Sequence, residues 1–396
     1  MSAAATICYD PYSYELDADP YPTYRRMQDH APVYYNERHD FYALTRFRDC
    51  HDAFVDFETY SSAYGTVLEL MHGEPFEVPM IIFMDPPRQT RVRNLVSKAF
   101  TPRQIGALEP AIRTIAARYL DALVGAGSSD FVKEFTAKLP MDVISTLLGI
   151  PESDRDHVRQ ASNRILHREP GNPMPPPDAL EAQGTLMDYF GAALAERRAR
   201  PRDDIMTLLM TAELQGADGK RECLDDVELP AFFNLLATAG NETVTKLLAT
   251  AFYWLAEFPV EREALVEDPS LVANAVEEFL RFDPPSHYQG RTLTREVTLH
   301  GTSMPAGARI AIVNGASGRD PRQFRDPDRL DVRRQIDLHL GFGFGRHICL
   351  GASLARLESR IALEEFLRRF PRYRVAGVER MHSSNVRGLS GLMLQY

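Results

Sequence analysis

One cysteine framed by glycines is the first place where this chain could do chemistry. In FGFGRHICLG, residues 342–351, Cys349 sits among Gly343, Gly345 and Gly351, with His347 two places before it and Phe342 ahead. The other cysteines, Cys8, Cys50 and Cys223, are too distant in sequence for a zinc knuckle, a Cys-x-x-Cys redox pair or a c-type haem attachment site. A lone cysteine is usually a small buried hydrophobe. Here, glycines permit backbone conformations closed to other residues and let main-chain N–H groups approach a ligand. A helix-forming run, ASLARLESRIALEEFL, follows at once, and a helix start stabilises a thiolate. A thiolate held in this way is a metal ligand. Thiolate-bound haem iron, where strong electron donation favours O–O cleavage, is the known case.

A second candidate is AGNET, Ala239 to Thr243, in the middle of a long apolar run. Small residues there could simply allow close packing. The carboxylate of Glu242 weighs against that, because an acid in an apolar helix is costly unless paired or hydrated. Thr243 can bond a carbonyl one turn back, near Ala239, and bend the helix. With Gly240 this would open a groove beside the backbone.

These residues need rigid supports. Residues 107–127, ALEPAIRTIAARYLDALVGAG, repeat their apolar positions at three and four and stop at glycines, which predicts an amphipathic helix. Residues 229–259 are apolar on most sides, which predicts a helix buried through the centre and carrying Ala239–Thr243. LVANAVEEFLRF and GASLARLESRIALEEFLRRFP are two further helices. Strand signals are short: APVYYN, FYALTR, EVTLHG, ARIAIVN and GLMLQY. Residues 168–177, REPGNPMPPP, cannot be helix interior and read as a surface loop acting as a mobile lid. No linker separates two cores. The expectation is one domain over residues 1–396, mainly α, with a large helical lobe and a small β-rich lobe.

Phe342, Gly343, Gly345, His347, Cys349 and Gly351, followed by LAR at 354–356, resemble the haem-binding signature of the cytochrome P-450 family. The likeness runs from DPYPTYRRM at Asp19 to the C-terminal strands. It implies haem b, with Cys349 as axial iron ligand, buried between the long central helix and the helix after the cysteine loop. AGNET is similar to the family's acid–alcohol pair, which implies proton relay by Glu242 and control of dioxygen activation by Thr243, with Ala239 and Gly240 beside the haem. Glu278 and Arg281 are spaced like an ordinary helix-surface pair, yet resemble the family's Glu-x-x-Arg. The resemblance implies a third arginine from FRDPDRL, Arg329, as part of that scaffold. Burying two haem propionates requires cations or strong donors. By resemblance these are Arg93 and Gln89 (where a histidine is common) under the haem, Arg291 from the β lobe, and His347.

The resemblance also implies a substrate pocket drawn from residues 64–82, the 168–177 lid, Leu235, Thr238 and Ala239, the 284–290 turn with His287, and 387–392 with Leu389. Most of these are apolar, so the substrate is expected to be hydrophobic: a terpenoid, branched lipid, steroid or aromatic. The reading is a haem-thiolate monooxygenase that inserts one atom of O2, with electrons from NAD(P)H through a ferredoxin and its reductase. Two alternatives keep the haem: a peroxygenase or dehydratase, whose members lack the ordinary acid–alcohol pair, and a haem sensor without turnover, for which no output domain is visible.

Composition bounds the partners. The 396 residues carry 45 Lys and Arg against 55 Asp and Glu, a net charge of −10 that argues against bulk nucleic-acid affinity. Sparse cysteines suit a reducing cytoplasm. The polar, proline-marked start reads as neither signal peptide nor anchor, and no segment reaches the ~18 apolar residues of a spanning helix. A monomer is expected. Residues 88–103 hold Arg88, Arg91, Arg93, Lys98 and Arg103 with no acid among them. Arg93 is expected to be taken up by a propionate, and the others, together with Arg346, are expected to form the docking surface for an acidic ferredoxin.

Overall fold

The structure, a computed structural model, describes residues 7–71, 73–166, 172, 174–215, 221–381, 383 and 385–396. Its main helices are α1 (Tyr21–His30), α2 (Phe47–Val55), α3 (Arg88–Val96), α4 (Glu109–Asp121), α5 (Lys138–Leu148), α6 (Glu152–Leu166), α7 (Pro177–Ala199), α8 (Glu228–Glu257), α9 (Val272–Phe282) and α10 (Ala352–Arg369). The apolar run at 229–259 is thus one helix, α8, of 30 residues. Such a helix has no polar face to give to water, so it must run through the core. Around it pack α5, α6, α7 and α10. Near its C-terminal end Phe252 meets Phe366 of α10 with ring centroids 4.5 Å apart, and Phe131 completes the cluster at 4.8 Å from Phe366. Truncating one such buried ring to Ala costs about 3–5 kcal/mol.

The β-rich lobe is a five-stranded sheet of β1 (Val33–Asn36), β2 (Phe41–Leu44), β3 (Tyr60–Ser61), β5 (Gln289–Leu293) and β6 (Arg309–Ile312), in the order β1-β2-β6-β5-β3. A second sheet joins β4 (Ser128–Asp130), β7 (Arg374–Arg380) and β8 (Leu389–Gln395), in the order β7-β8-β4. Leu44, Phe47, Phe54, Leu293, Ile310 and Ile312 form the core between the first sheet and α2. Strands β5 and β7 carry no alternating apolar signal in the sequence. β5 holds a buried arginine, Arg291, opposite Ile310, and β7 is largely solvated. Half of the expected lid lies outside the described residues, at 168–171 and 173, as does His72 of the 64–82 loop. No helix among the described residues is long and apolar enough to cross a membrane.

Glu278 and Arg281 of α9 are fully buried and bonded side by side, Nε to Oε2 at 2.7 Å and Nη2 to Oε1 at 2.7 Å. Arg281 also donates to the Gly318 and Pro327 carbonyls at 2.6 and 2.8 Å. The third arginine is Arg334 and not Arg329. Arg334 Nε reaches Glu278 Oε1 at 3.2 Å, whereas Arg329 is exposed and offers only its carbonyl, to Arg281 and to Arg334. The chain around Arg329 turns its backbone inward, and the side chain that returns over α9 comes five residues later. Removing one member of such a buried pair strands the other's charge and costs about 3–5 kcal/mol.

Candidate active site

Cys349 stands immediately before the α10 start, where Gly351 occupies the N-cap. Its backbone N–H closes the loop on the Phe342 carbonyl at 2.9 Å. Gly345 has φ +69°, and a Cβ there would lie 2.6 Å from the Phe54 carbonyl of α2, so only glycine fits the turn pressed on that helix. Arg356, one turn into α10, lies over the Phe342 ring at 4.6 Å and is bonded by Glu277 of α9 at 2.7 and 2.8 Å. Cys349 is accessible, yet burial pushes its thiol up, against the Gly351 N–H and the charges of Arg93 and Arg356, which favour the thiolate. An accessible sulfur in dense surroundings faces a cleft and not the outer surface.

A second accessible stretch lies on α8. Ala239 is exposed, and Leu235, Leu236, Gly240, Glu242 and Thr243 are partly exposed, while residues 244–252 are buried. This accessible stripe at helical spacing marks the face that lines a cleft. Thr243 Oγ1 donates to the Ala239 carbonyl at 2.9 Å. A Cβ at Gly240 would find only ordinary contact with Ile144, at 3.5 Å, so packing against α5 does not demand the glycine. Glu242 Oε1 lies 2.8 Å from Nζ of Lys246, which is buried and also donates to the Leu389 carbonyl at 2.9 Å. Sequence reading missed Lys246. Its i, i+4 spacing from Glu242 was visible, but its burial was not.

Three donors meet at the edge of the cleft. Arg291 is buried on β5. The one hydrogen bond of its guanidinium among the described residues goes from Nη1 to its neighbour's carbonyl, Gly290 O, at 2.6 Å. Burial pulls its pKa down to about 10, against the attraction of Asp85. His347 Nε2 is buried with no hydrogen-bond partner among the described residues. Burial first, then the charges of Arg291 and Arg93, hold that ring down at about 3, with the Met84 carbonyl opposing. Arg93 has its pKa lowered by burial and raised by Cys349. A buried arginine without an ion pair, beside an orphaned imidazole nitrogen, is an expensive arrangement unless an anion belongs there. The donor set therefore fits two carboxylates next to a cysteine-ligated iron, and the residues present fit haem.

Other expected residues sit elsewhere. Gln89 is fully buried, but its Nε2 donates to the Arg346 carbonyl at 2.7 Å, so the amide ties α3 to the cysteine loop. His287 does not face the cleft. Its Nδ1 pairs with Tyr24 Oη at 3.0 Å and its Nε2 lies 3.5 Å from Asp283, among Tyr21 and Arg387. Thr238 is buried, with its hydroxyl on the Asn234 carbonyl at 2.9 Å, and Leu389 is buried. Of the cationic segment, Arg88 and Arg91 are paired with Glu228 of α8. The acid missing from the segment is supplied by another helix. Lys98 bonds the Glu213 carbonyl. Arg103 and Arg346 are exposed, Arg346 with its guanidinium 5.4 Å from the Phe57 ring centroid.

Comparison with known proteins agrees with this geometry. The cytochrome P-450 family model matches residues 177–372. Over 388 residues the chain is 44% identical to putative cytochrome P-450 123 of Mycobacterium tuberculosis, covering 97% of this chain and 95% of that one. It is 35% identical to vitamin D(3) 25-hydroxylase of Pseudonocardia autotrophica, covering 98% and 97%. Among solved structures, cytochrome P-450 CYP109Q5 from Chondromyces apiculatus matches with a TM-score of 0.88 at 31% identity, covering 98% and 97%. The chain belongs to the cytochrome P-450 family: a monooxygenase with haem b as cofactor, using O2 and electrons from redox partners.

Proposed function

We propose that this monooxygenase oxidises a hydrophobic small molecule held between α8 and the cysteine loop, and takes its electrons from NAD(P)H through an acidic ferredoxin and its reductase. The observation that carries the reading is the accessible stripe of α8, Leu235 to Thr243, apolar at one end and bearing the acid and alcohol at the other. The vitamin D(3) 25-hydroxylase among the relatives is in keeping with an apolar substrate. In this reading Cys349 would supply the thiolate ligand to the haem, and Arg93, Arg291 and His347 would hold its two propionates. When bound, the thiolate-ligated haem supplies the O–O cleavage chemistry. Leu235, Leu236 and Ala239 orient the substrate and keep bulk water from it. Thr243 holds a hydroxyl proton at Oγ1, and Glu242 moves protons at its carboxylate oxygens, a role in which a positioned acid contributes about 10²–10⁴-fold. Gln89 acts one layer out, by fixing the backbone of the cysteine loop.

The test is spectroscopic. The reduced carbon-monoxide complex should show the long-wavelength band of a thiolate ligand, and Cys349→Ala should lose it while Cys50→Ala and Cys223→Ala keep it. Retention of the band in Cys349→Ala would overturn the assignment. Spectral titration with apolar compounds, followed by ferredoxin-supported turnover, identifies the substrate class.

A further inference from the structure

Lys246 is a buried cation that the proposed chemistry leaves unused. Lysine is almost never fully buried unless paired, and this one is 4% exposed. Its Nζ lies 2.8 Å from Glu242 Oε1 and donates to the Leu389 carbonyl at 2.9 Å. One ammonium therefore joins the acid of α8 to the first residue of β8. Gly388 makes the seat for it. A Cβ at that position would fall 2.5 Å from Lys246 Cβ and 2.8 Å from both Cγ and Cδ. The lysine stem is thus packed along its length against a backbone that has no room for any side chain. An exposed i, i+4 Glu–Lys pair is free to change rotamer and is weakly coupled. Here the seat, the carbonyl and burial remove that freedom, and the carboxylate inherits a fixed place one residue before Thr243.

We infer that Lys246 is a positioning residue for Glu242. It fixes where the carboxylate receives and delivers its proton, and it ties that place to the start of the C-terminal strand. The inference rests on the proposed role of Glu242. It extends that role by making the acid's geometry depend on the backbone at Gly388–Leu389. A shift of that strand start moves the ammonium and, through it, the acid.

Haem-loaded parent, Lys246→Met, Lys246→Arg, Glu242→Gln and the Lys246→Met/Glu242→Gln double variant would be compared by thermal midpoint, product formed per NAD(P)H consumed, and solvent deuterium isotope effect on turnover. Methionine keeps the stem volume and removes the charge, and arginine restores the charge on a similar stem. The losses in thermal midpoint should be non-additive, because the double variant loses the pair only once. Lys246→Met should lower product yield several-fold and enlarge the isotope effect, with substrate affinity close to the parent's, and Lys246→Arg should recover most of the yield. In the Glu242→Gln background Lys246→Met should change neither yield nor isotope effect further. Equal losses in both backgrounds, or parent-like yield in Lys246→Met beside an impaired Glu242→Gln, would overturn the inference. A parent-like Glu242→Gln would instead overturn the reading of the acid, and the positioning role with it.

Discussion

Thr243 donates its hydroxyl hydrogen to the Ala239 carbonyl at 2.9 Å, which leaves its oxygen lone pairs directed to the accessible face of α8. Thr243→Ala removes the hydroxyl without a volume change large enough to collapse the helix. That variant should still consume NAD(P)H but release several-fold more of the electrons as hydrogen peroxide, and Thr243→Ser should restore coupling. Peroxide formed per NAD(P)H, measured with a substrate that couples well in the parent, checks this. Unchanged coupling in Thr243→Ala would remove the alcohol from the mechanism. What could be read at this scale followed reach. The Thr243–Ala239 bond spans one helical turn, and the Cys349 loop is made by its own neighbours, so local sequence contained both. His287 could not be read, because its direction is set by Tyr24 and Asp283, and its surroundings by Arg387, on three separate segments. Arg334 was hidden for a similar reason: which arginine of a winding segment returns to Glu278 depends on the path of the backbone and not on spacing.

At the scale of elements, α9 carries two adjacent acids with different duties. Glu278 binds the meander through Arg281 and Arg334, and Glu277 binds α10 through Arg356, whose guanidinium lies over Phe342. Burial alone would raise the Glu277 carboxyl, but hydrogen bonds from Arg356 and His339, with their charges, bring it down from 4.5 to about 2. A folded-state value below the unfolded one means that the unfolded chain binds the extra proton. The stabilisation is therefore complete above about pH 4.5 and is lost as pH falls toward 2. Partial exposure of the pair discounts its size to about 2 kcal/mol. Glu277→Gln should lower the urea midpoint at pH 7 and flatten its decline between about pH 4.5 and about pH 2. A parallel decline in parent and variant would show that the acid contributes nothing to that slope. Apolar patterning located α4, α8, α9 and α10 well. It could not locate β5 or β7, because a strand that buries an arginine or lies against solvent has no alternating apolar face to display.

For the whole molecule the question is how electrons enter. The chain carries a net charge of −10, so the proposed acidic ferredoxin would need a local exception to dock. Pairing of Arg88 and Arg91 with Glu228, and the commitment of Arg93 to the cleft, reduce the proposed patch to Lys98, Arg103 and Arg346. Arg346 is the member joined by backbone to the cysteine loop, and its carbonyl is the one Gln89 holds. Arg346→Glu should slow reduction by an acidic ferredoxin several-fold in stopped-flow measurements, with haem content and substrate affinity unchanged. The parent's rate should fall as salt rises past about 0.1 M, where screening shortens to about 10 Å. Rates indifferent to both would move the docking site elsewhere on the surface.

The meeting of Arg93, Arg291 and His347 has a consequence for how the protein matures. Two guanidiniums and an imidazole whose protonation they suppress are gathered at one edge, with Asp85 acting on Arg291 but no ion pair to any of the three among the described residues. Their mutual repulsion opposes closure of α3, β5 and the cysteine loop around a common point until a dianion arrives. If these residues hold the propionates as proposed, prosthetic-group capture and the final tightening of these three segments would be one linked equilibrium, with each propionate a counter-ion for folding.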